Sequence, residues 1–434
     1  ISGLGNEAVT LSGTTAAVSD LLSINAATSG LVDAAAITTL VGNAADIVSG
    51  VFSDGIQGLG NENVTLLDTV IAATTLNVTD ALINTVLNAS SVTLLTGSSA
   101  DVLTALQSTG ISGLSNVAVT LSDTSLAATT LNTLNGLTTG EIDAGSVLTL
   151  TGTAAEVTAT YAATGITGLG NEAVTLSDTS LAASALNTLD GYTSGAVDVS
   201  LVTLVSGSAA DVAQAYNSTG ITGLGNEPVT LSGTTAAASD LNSIDTDTSG
   251  AINASSVTLV TGSAAAVTTA LQATGISGLS NPAVTLDDTS LAATALNTLN
   301  GLTTGEIDAG TVATLTGTAA EVTATYAATG ITGLGNEAVT LSDTSLTAAQ
   351  LNTLDGYTSG AVDVSLVTLV SGSAAAVAQA YSSTGITGLS DEAVTLSGTE
   401  AAASDLNSID ADNGGGTINA SSVQTLTGTA AAVA

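Results

Sequence analysis

The 434-residue chain contains no lysine, arginine, histidine or cysteine. Without cysteine and histidine, thiolate nucleophiles, imidazole bases, zinc sites and Ser/His/Asp triads are excluded. The absence of cysteine also excludes a disulfide framework, so durability has to come from the architecture. Carboxylates, hydroxyls and amides are the side-chain groups that remain for chemistry.

Charge of only one sign is the second imbalance. Asp and Glu number 37 and give a formal net charge of −37, and no carboxylate can pair with a basic side chain. We therefore expect solvent cations to balance the charge. Because such a field repels phosphate, we expect no nucleic-acid partner. Apolar runs are too short for a span of roughly 18 residues or more, so we expect no membrane insertion.

Hydrophobic residues make up 44% of the chain, whereas aromatic residues make up 2% and proline occurs twice. This hydrophobic content lies far from that of disordered chains, so the sequence predicts a folded protein. The scarcity of bulky side chains predicts thin, uniform layers rather than a thick globular core. Because the chain begins with Ile1 and not with a signal peptide, we interpret it as an internal or processed part of a longer protein.

A 55-residue repeat organises the sequence and predicts one continuous array over residues 1–434. The repeats span 1–55, 56–110, 111–165, 166–220, 221–275, 276–330, 331–385 and an incomplete 386–434. The third and sixth repeats differ at five positions, as do the fourth and seventh, which indicates duplication of a three-repeat block. Near-identical copies argue against a single active site, so we expect no enzyme.

Each repeat divides into two similar halves. In the first half a "VTL" segment favours a strand, and an Ala/Leu-rich segment such as "SLAASALNTL" has the apolar spacing of a helix. The second half repeats this order with segments such as "LVTLVSG" and "SAADVAQAY". We predict an α/β fold, a right-handed βα solenoid with one continuous parallel sheet, short helices and about two coils per 55-residue repeat. The alternative is a helix-free parallel β-helix, which Ala-rich runs such as "AAEVTATYAA" disfavour.

Helix boundaries are predicted from local signals. A threonine after Asp or Gly is expected to be the helix N-cap in every repeat. These residues are Thr14, Thr69, Thr124, Thr179, Thr234, Thr289, Thr344 and Thr399. Asn135-Gly136 and Asp190-Gly191 are expected to end helices in a left-handed conformation.

The central threonine of "VTL" recurs in all eight first halves. These residues are Thr10, Thr65, Thr120, Thr175, Thr230, Thr285, Thr340 and Thr395. A looser partner row in the second halves includes Thr93, Thr203, Thr258 and Thr368. Stacked in register, the hydroxyls would form ladders on the open face of the sheet. Plain β-propensity with cross-strand pairing explains them, and the functional alternatives are a self-association face or an ice-binding face.

Acidic residues suggest a metal site at two places. Asp245, Asp247 and Ser249 match the opening of an EF-hand-like calcium loop, and Asp410 with Asp412 begins a similar pattern. Calcium requires six to eight oxygen ligands, but the twelfth position is Ser256 and supplies no bidentate carboxylate. An acidic helix end is the favoured explanation of the pattern, Ca²⁺ is a possible cofactor, and no other is predicted.

Two further features are interpreted as structural. In "GLGNE", Glu7 is matched by Val117 and Pro282 in other repeats, so the segment is read as a turn rather than as a metal ligand. Tyrosines recur at one helical position, at Tyr161, Tyr216, Tyr326 and Tyr381, and are read as packing residues.

The units "TGITGLGNEAVTLSDTSLAASALNTLDG" and "SGAVDVSLVTLVSGSAADV" resemble the acidic, Thr- and Ala-rich tandem repeats of giant secreted cell-surface proteins of marine cyanobacteria, of the type of the Synechococcus surface protein associated with swimming. The resemblance covers the whole chain through repeat style and composition. It implies secretion, calcium dependence and a surface or motility role.

We therefore predict an extracellular structural protein that forms or extends a cell-surface fibre, sheath or appendage, with further copies of itself as partners. In seawater the Debye length falls to roughly 4 to 5 Å, so rows of carboxylates can coexist. A calcium-dependent adhesin module and an ice-binding protein are the alternatives.

Overall fold

A computed structural model describes residues 5–50 and 54–433. These residues form an α/β solenoid of repeated βα coils, in which short parallel strands alternate with sixteen short helices. The predicted fold class is confirmed, and the helices exclude the helix-free alternative. The repeats beginning at Ile56 and later are described from their first residue, whereas Ile1 lies outside the described residues.

The helices carry the Ala/Leu-rich segments of both halves of each repeat. They are α1 Val18–Ala27, α2 Ala44–Gly50, α3 Ala73–Leu82, α4 Ser99–Gln107, α5 Ala128–Leu137, α6 Ala154–Ala162, α7 Ala183–Asp190, α8 Ala209–Asn217, α9 Ala238–Asp247, α10 Ala264–Gln272, α11 Ala293–Leu302, α12 Ala319–Ala327, α13 Ala348–Asp355, α14 Ala374–Ser382, α15 Ala403–Asp412 and α16 Ala430–Val433.

The strands are only two to four residues long. They are β1 Val9–Thr10, β2 Thr15–Ala17, β3 Val32–Asp33, β4 Thr39–Gly42, β5 Ile56–Gln57, β6 Asn63–Leu66, β7 Val70–Ala72, β8 Leu87–Asn88, β9 Leu94–Gly97, β10 Ile111–Ser112, β11 Ala118–Leu121, β12 Ser125–Ala127, β13 Ile142–Asp143, β14 Thr149–Gly152, β15 Ile166–Thr167, β16 Ala173–Leu176, β17 Ser180–Ala182, β18 Val197–Asp198, β19 Leu204–Gly207, β20 Ile221–Thr222, β21 Val229–Leu231, β22 Thr235–Ala237, β23 Ile252–Asn253, β24 Leu259–Gly262, β25 Ile276–Ser277, β26 Ala283–Leu286, β27 Ser290–Ala292, β28 Ile307–Asp308, β29 Thr314–Gly317, β30 Ile331–Thr332, β31 Ala338–Leu341, β32 Ser345–Thr347, β33 Val362–Asp363, β34 Leu369–Gly372, β35 Ile386–Thr387, β36 Ala393–Leu396, β37 Glu400–Ala402, β38 Ile418–Asn419 and β39 Thr425–Thr427.

The chain divides into two compact units, Ile1–Thr203 with Ser218–Leu224 and Leu204–Asn217 with Gly225–Ala434. The first unit contains the sheets β1-β3-β5, β2-β4-β6-β8-β10, β7-β9-β11-β13-β15 and β12-β14-β16-β18-β20. The second contains the strand order β19-β21-β23-β25 and the sheets β22-β24-β26-β28-β30, β27-β29-β31-β33-β35, β32-β34-β36-β38 and β37-β39. That all repeats form one continuous array stays a prediction.

The strand register explains why these sheets are short. Thr175 pairs with Thr151, 24 residues earlier, and with Asp198, 23 residues later. Two such steps cover fewer residues than the 55-residue repeat. Every second strand of a ladder therefore comes from a position nearer the start of its repeat than the strand two places before it. The ladder ends after at most five strands, and another ladder begins. The predicted single continuous sheet is therefore replaced by overlapping short sheets.

Burial follows the two periodicities expected of strand and helix. In β16, Val174 and Leu176 are buried, and Thr175 between them is not fully covered. In α7 the buried positions are Ala183, Leu186 and Leu189. Because a coil contributes only two or three short strands and one helix, these faces are covered by the neighbouring coils.

The predicted threonine N-caps are wrong for the first-half helices. Thr124 precedes β12, and α5 begins at Ala128 with Ala127 as an N-cap that makes no side-chain hydrogen bond. The three-residue strand between Thr124 and the helix places the hydroxyl too far away. The Thr124 carbonyl instead accepts hydrogen bonds from the N–H groups of Leu148 and Thr149 in the next coil.

The predicted left-handed helix ends are also wrong. Gly136 lies inside α5, which continues to Leu137, and Gly191 caps α7 with a right-handed φ of −76°. The glycine that ends each repeat is required for a different reason, which is lack of space for a side chain. A Cβ on Gly165 would collide with the side-chain oxygen of Asn135, which occupies that space.

Side-chain caps are found on second-half helices, for which no cap is predicted from the sequence. The Thr153 hydroxyl accepts from the Glu156 N–H while the Glu156 carboxylate accepts from the Thr153 N–H, a capping box at the start of α6. Thr318 and Glu321 form the same arrangement in α12. The signal that predicts it is Thr followed three residues later by Glu.

Candidate functional site: the strand face and the buried acidic junctions

In each repeat the strand face contains the central threonine of the "VTL" strand, and each of these threonines lies in a strand and is partly or largely exposed. They are Thr10, Thr65, Thr120, Thr175, Thr230, Thr285, Thr340 and Thr395. Each of them pairs with an Asp or Asn of the following short strand, as Thr175 does with Asp198 and Thr230 with Asn253. The strand face therefore mixes hydroxyls with carboxylates and amides. Its role in self-association or ice binding stays a prediction.

The predicted partner row is wrong. Thr93 and Thr203 lie directly before β9 and β19 and outside these strands, and their hydroxyls donate to the carbonyls of Thr69 and Thr179 at 3.0 and 2.9 Å. The actual partners of the threonines from Thr120 onwards are Thr96, Thr151, Ser206, Thr261, Thr316 and Ser371. The error arises because the strands step by 24 residues and not by half a repeat.

The first candidate calcium segment begins in a helix and not in a loop. Asp245 and Asp247 lie in the last turn of α9. Asp247 accepts a hydrogen bond from the Ser243 hydroxyl at 3.0 Å. The N–H of Ser249 donates to the Gly225 carbonyl at 3.0 Å, so its backbone is committed to the adjacent turn.

Asp410 and Asp412 occupy the equivalent positions at the end of α15. Across residues 5–50 and 54–433, no group of three acidic side chains gathers in a way that could hold a metal ion. Calcium binding stays a prediction.

The "GLGNE" segment forms a bend, as predicted. Its glutamate is buried and accepts hydrogen bonds from the backbone of the bend. Glu172 is 1% exposed. Its carboxylate accepts from the N–H groups of Gly170 and Asn171 at 2.9 and 3.1 Å, and from the Tyr161 hydroxyl. The Thr193 hydroxyl donates to the Glu172 carbonyl at 2.7 Å. A buried carboxylate is thus stabilised by neutral donors alone.

The recurring tyrosines are more than packing residues. Each donates its hydroxyl to a glutamate 11 residues later in the chain, at the start of the next repeat. The pairs are Tyr161–Glu172, Tyr216–Glu227, Tyr326–Glu337 and Tyr381–Glu392. We call these contacts the acidic junctions.

Both positions are apolar at two other repeat boundaries. Leu106 replaces the tyrosine where Val117 replaces the glutamate, and Leu271 does so where Pro282 follows. This co-occurrence within one sequence is the signal that could have identified the pairs. It indicates that the two positions contact each other, although Val51 is followed by Glu62 and that boundary keeps the glutamate without the tyrosine.

A second set of carboxylates binds helix N-termini of the preceding coil. The carboxylate of Asp178 accepts from the Ala154 N–H at 2.7 Å, at the first residue of α6. The equivalent pairs are Asp68 with Ala44, Asp123 with Ser99, Asp288 with Ala264 and Asp343 with Ala319. The helix N-terminus is the positive end of the helix dipole. Backbone N–H groups therefore take the place of the basic side chains that this chain lacks.

The acidic junctions predict loss of stability in alkali. Burial raises the pKa of Tyr216 to about 12, with a further contribution from the charge of Glu227. Burial and the hydrogen bond to Glu172 raise the pKa of Tyr161 further. Because an unfolded tyrosine ionises near pH 10, the folded state binds these protons more tightly. Their stabilising contribution is complete below about pH 10 and is lost as pH rises through the folded pKa.

Phenolate absorbance and circular dichroism measured on one pH series test this prediction. We expect the tyrosines of the acidic junctions to ionise together with unfolding, well above pH 10, while the chain in urea titrates near pH 10. Ionisation of all tyrosines near pH 10 with an unchanged circular dichroism spectrum would contradict it.

None of the helices in the described parts of the chain is both long enough and apolar enough to cross a membrane. No protein-family model matches the sequence, and no curated protein matches it either.

Proposed function

We propose that the protein is an extracellular structural repeat protein that forms or extends a cell-surface fibre, sheath or appendage through the stacking of its coils. The proposal is supported by the recurrence of the same types of contact between successive coils. Strand ladders, Asp-to-helix contacts and acidic junctions all join one coil to the next. Such an arrangement has no inherent limit on the number of coils.

The observation that carries the self-assembly part of this proposal is the strand edge at β39. The Thr425 N–H donates to the Thr399 carbonyl at 3.0 Å, towards β37. Because successive N–H groups of a strand point in opposite directions, the N–H of Leu426 faces away from β37. Leu426 is 43% exposed. An edge of this kind can accept one further parallel strand, either from a following coil of a longer chain or from a second copy.

Negative-stain electron microscopy of the chain in seawater-like buffer tests the proposal. We expect filaments for the wild type and for Leu426→Val, which keeps the backbone donor. Leu426→Pro removes that outward N–H and leaves the bonds to β37, so we expect it to remain monomeric or to form much shorter filaments. A monodisperse wild-type monomer, or filaments of equal length for the proline variant, would overturn this assembly route.

Cations are the second partner that the proposal requires. Copies that each have a formal net charge of −37 repel one another unless salt screens them. We expect filament length to increase with ionic strength, and magnesium to act as calcium does at equal concentration. A response to calcium that magnesium does not reproduce would favour the calcium-dependent adhesin.

A further inference from the structure

Two acidic junctions contain a second aromatic ring. The rings of Tyr161 and Tyr192 stack with their centroids 5.2 Å apart and their planes at 17°. Tyr326 and Tyr357 stack at 5.1 Å and 14°. In each pair the first tyrosine donates its hydroxyl to a buried glutamate, and the second is exposed, at 40% for Tyr192 and 39% for Tyr357.

The composition makes these rings the preferred targets of oxidation. The chain has no cysteine, methionine, tryptophan or histidine, and it has six tyrosines. A phenol loses an electron most easily when its proton can leave at the same time. The Glu172 carboxylate already accepts the Tyr161 hydroxyl proton in a hydrogen bond, so it is placed to receive that proton.

We propose that Tyr161 with Tyr192, and Tyr326 with Tyr357, are oxidative cross-linking sites that a peroxide-consuming oxidant converts to dityrosine. Each phenol gives up one electron and one proton, and the Tyr161 proton passes to Glu172. The two phenoxyl radicals join through a carbon–carbon bond between ring carbons ortho to the oxygens. The ortho hydrogens then move to the oxygens to restore the phenols. Glu172 releases its proton, and one hydrogen peroxide is reduced to two waters.

The exposed ring provides both access and mobility. Stacked rings have to turn edge to edge before the bond can form, and Tyr192 lies beyond the end of α7, where its exposed side chain can rotate. The bond would join a residue of α6 to one that follows α7, and so would link adjacent coils covalently. It would do so without cysteine.

The other two acidic junctions are matched controls within the same chain. Tyr216 and Tyr381 also donate to glutamates, but Asp247 and Asp412 occupy the positions equivalent to Tyr192 and Tyr357. These junctions have the proton acceptor and lack the second ring. They should therefore remain without a cross-link within the chain.

Treatment of the dilute, folded chain with hydrogen peroxide and a haem peroxidase tests the proposal. We expect dityrosine fluorescence, a monomeric product that has lost two hydrogens per cross-link, and linked peptides containing Tyr161 with Tyr192 and Tyr326 with Tyr357. Because the chain has no Lys or Arg, peptides have to be produced with a protease that cuts at acidic residues.

Two variants make the assignment specific. Tyr192→Phe leaves the Glu172 hydrogen bonds intact and should remove one of the two cross-links. Asp247→Tyr should add a third, between Tyr216 and position 247. Absence of dityrosine in the folded chain, dityrosine formed mainly between chains, or no additional cross-link in a folded Asp247→Tyr variant would overturn the proposal.

Discussion

Replacement of Gly195 by alanine is expected to destabilise the fold by about 3 kcal/mol, because a new methyl group would be forced into backbone atoms that cannot move aside. A Cβ at this position would lie against the carbonyl of Glu172 and 2.8 Å from the backbone nitrogen of Ala173. Those atoms belong to the bend that holds the buried glutamate. Urea unfolding followed by circular dichroism measures the loss.

Gly191→Ala is the matched control in the same segment. Its Cβ would meet only ordinary contacts, 3.4 Å from the Thr188 carbonyl and 3.6 Å from that of Asn187, on right-handed backbone. We expect it to be neutral or to stabilise the fold by up to about 1 kcal/mol, since alanine favours helical backbone over glycine. Equal effects of the two substitutions would contradict the close backbone approach at Gly195.

Replacement of Glu172 by valine is the second change with a large expected effect. It leaves the N–H groups of Gly170 and Asn171 and the Tyr161 hydroxyl without their acceptor. Each buried donor that is left without a partner lowers the free energy of unfolding by about 1 to 3 kcal/mol. We therefore expect a loss of about 3 kcal/mol from the donors together. Urea unfolding again provides the measurement.

The triple change Tyr161→Leu, Glu172→Val and Tyr192→Leu is expected to recover part of this loss, because it also removes the Tyr161 hydroxyl, although the N–H groups of Gly170 and Asn171 still lack their acceptor. It recreates the apolar combination of Leu106, Val117 and Leu137 that the chain uses at another junction. Residues that act as one contact show coupling energies of about 0.5 to 3 kcal/mol. If the triple variant were as unstable as the sum of its single changes, the positions would not act as a unit.

The repeat length, the parallel strands and the helices could be predicted from the sequence because strand and helix periodicity and β-propensity are local properties. The register could not. The register depends on the number of turn residues in each coil. The 24-residue step between Thr151 and Thr175 cannot be obtained from the 55-residue period. This difference between the strand step and the repeat length explains both the wrong partner row and the wrong expectation of one continuous sheet.

The acidic junctions were missed for a different reason. Composition identifies Glu172 as a charge and Tyr161 as a bulky ring, but not that they meet across a repeat boundary in the interior. Their joint replacement by Leu106 and Val117 was visible in the sequence, and it is a contact signal. The carboxylates that bind helix N-termini, such as that of Asp178, gave no such signal, because the donor is a backbone N–H 24 residues away.

The register of neighbouring coils can be measured directly by disulfide formation, since the chain has no cysteine of its own. Directly opposed residues of adjacent strands lie about 5 Å apart, within reach of a disulfide. We expect Thr151→Cys with Thr175→Cys to form one rapidly and completely under mild oxidation, seen as the loss of free thiols. Thr175→Cys with Thr203→Cys should remain reduced, because Thr203 lies directly before β19 and not opposite Thr175. Faster cross-linking of the second pair would show that the coils stack in a different register and would contradict the structure on which every contact above depends.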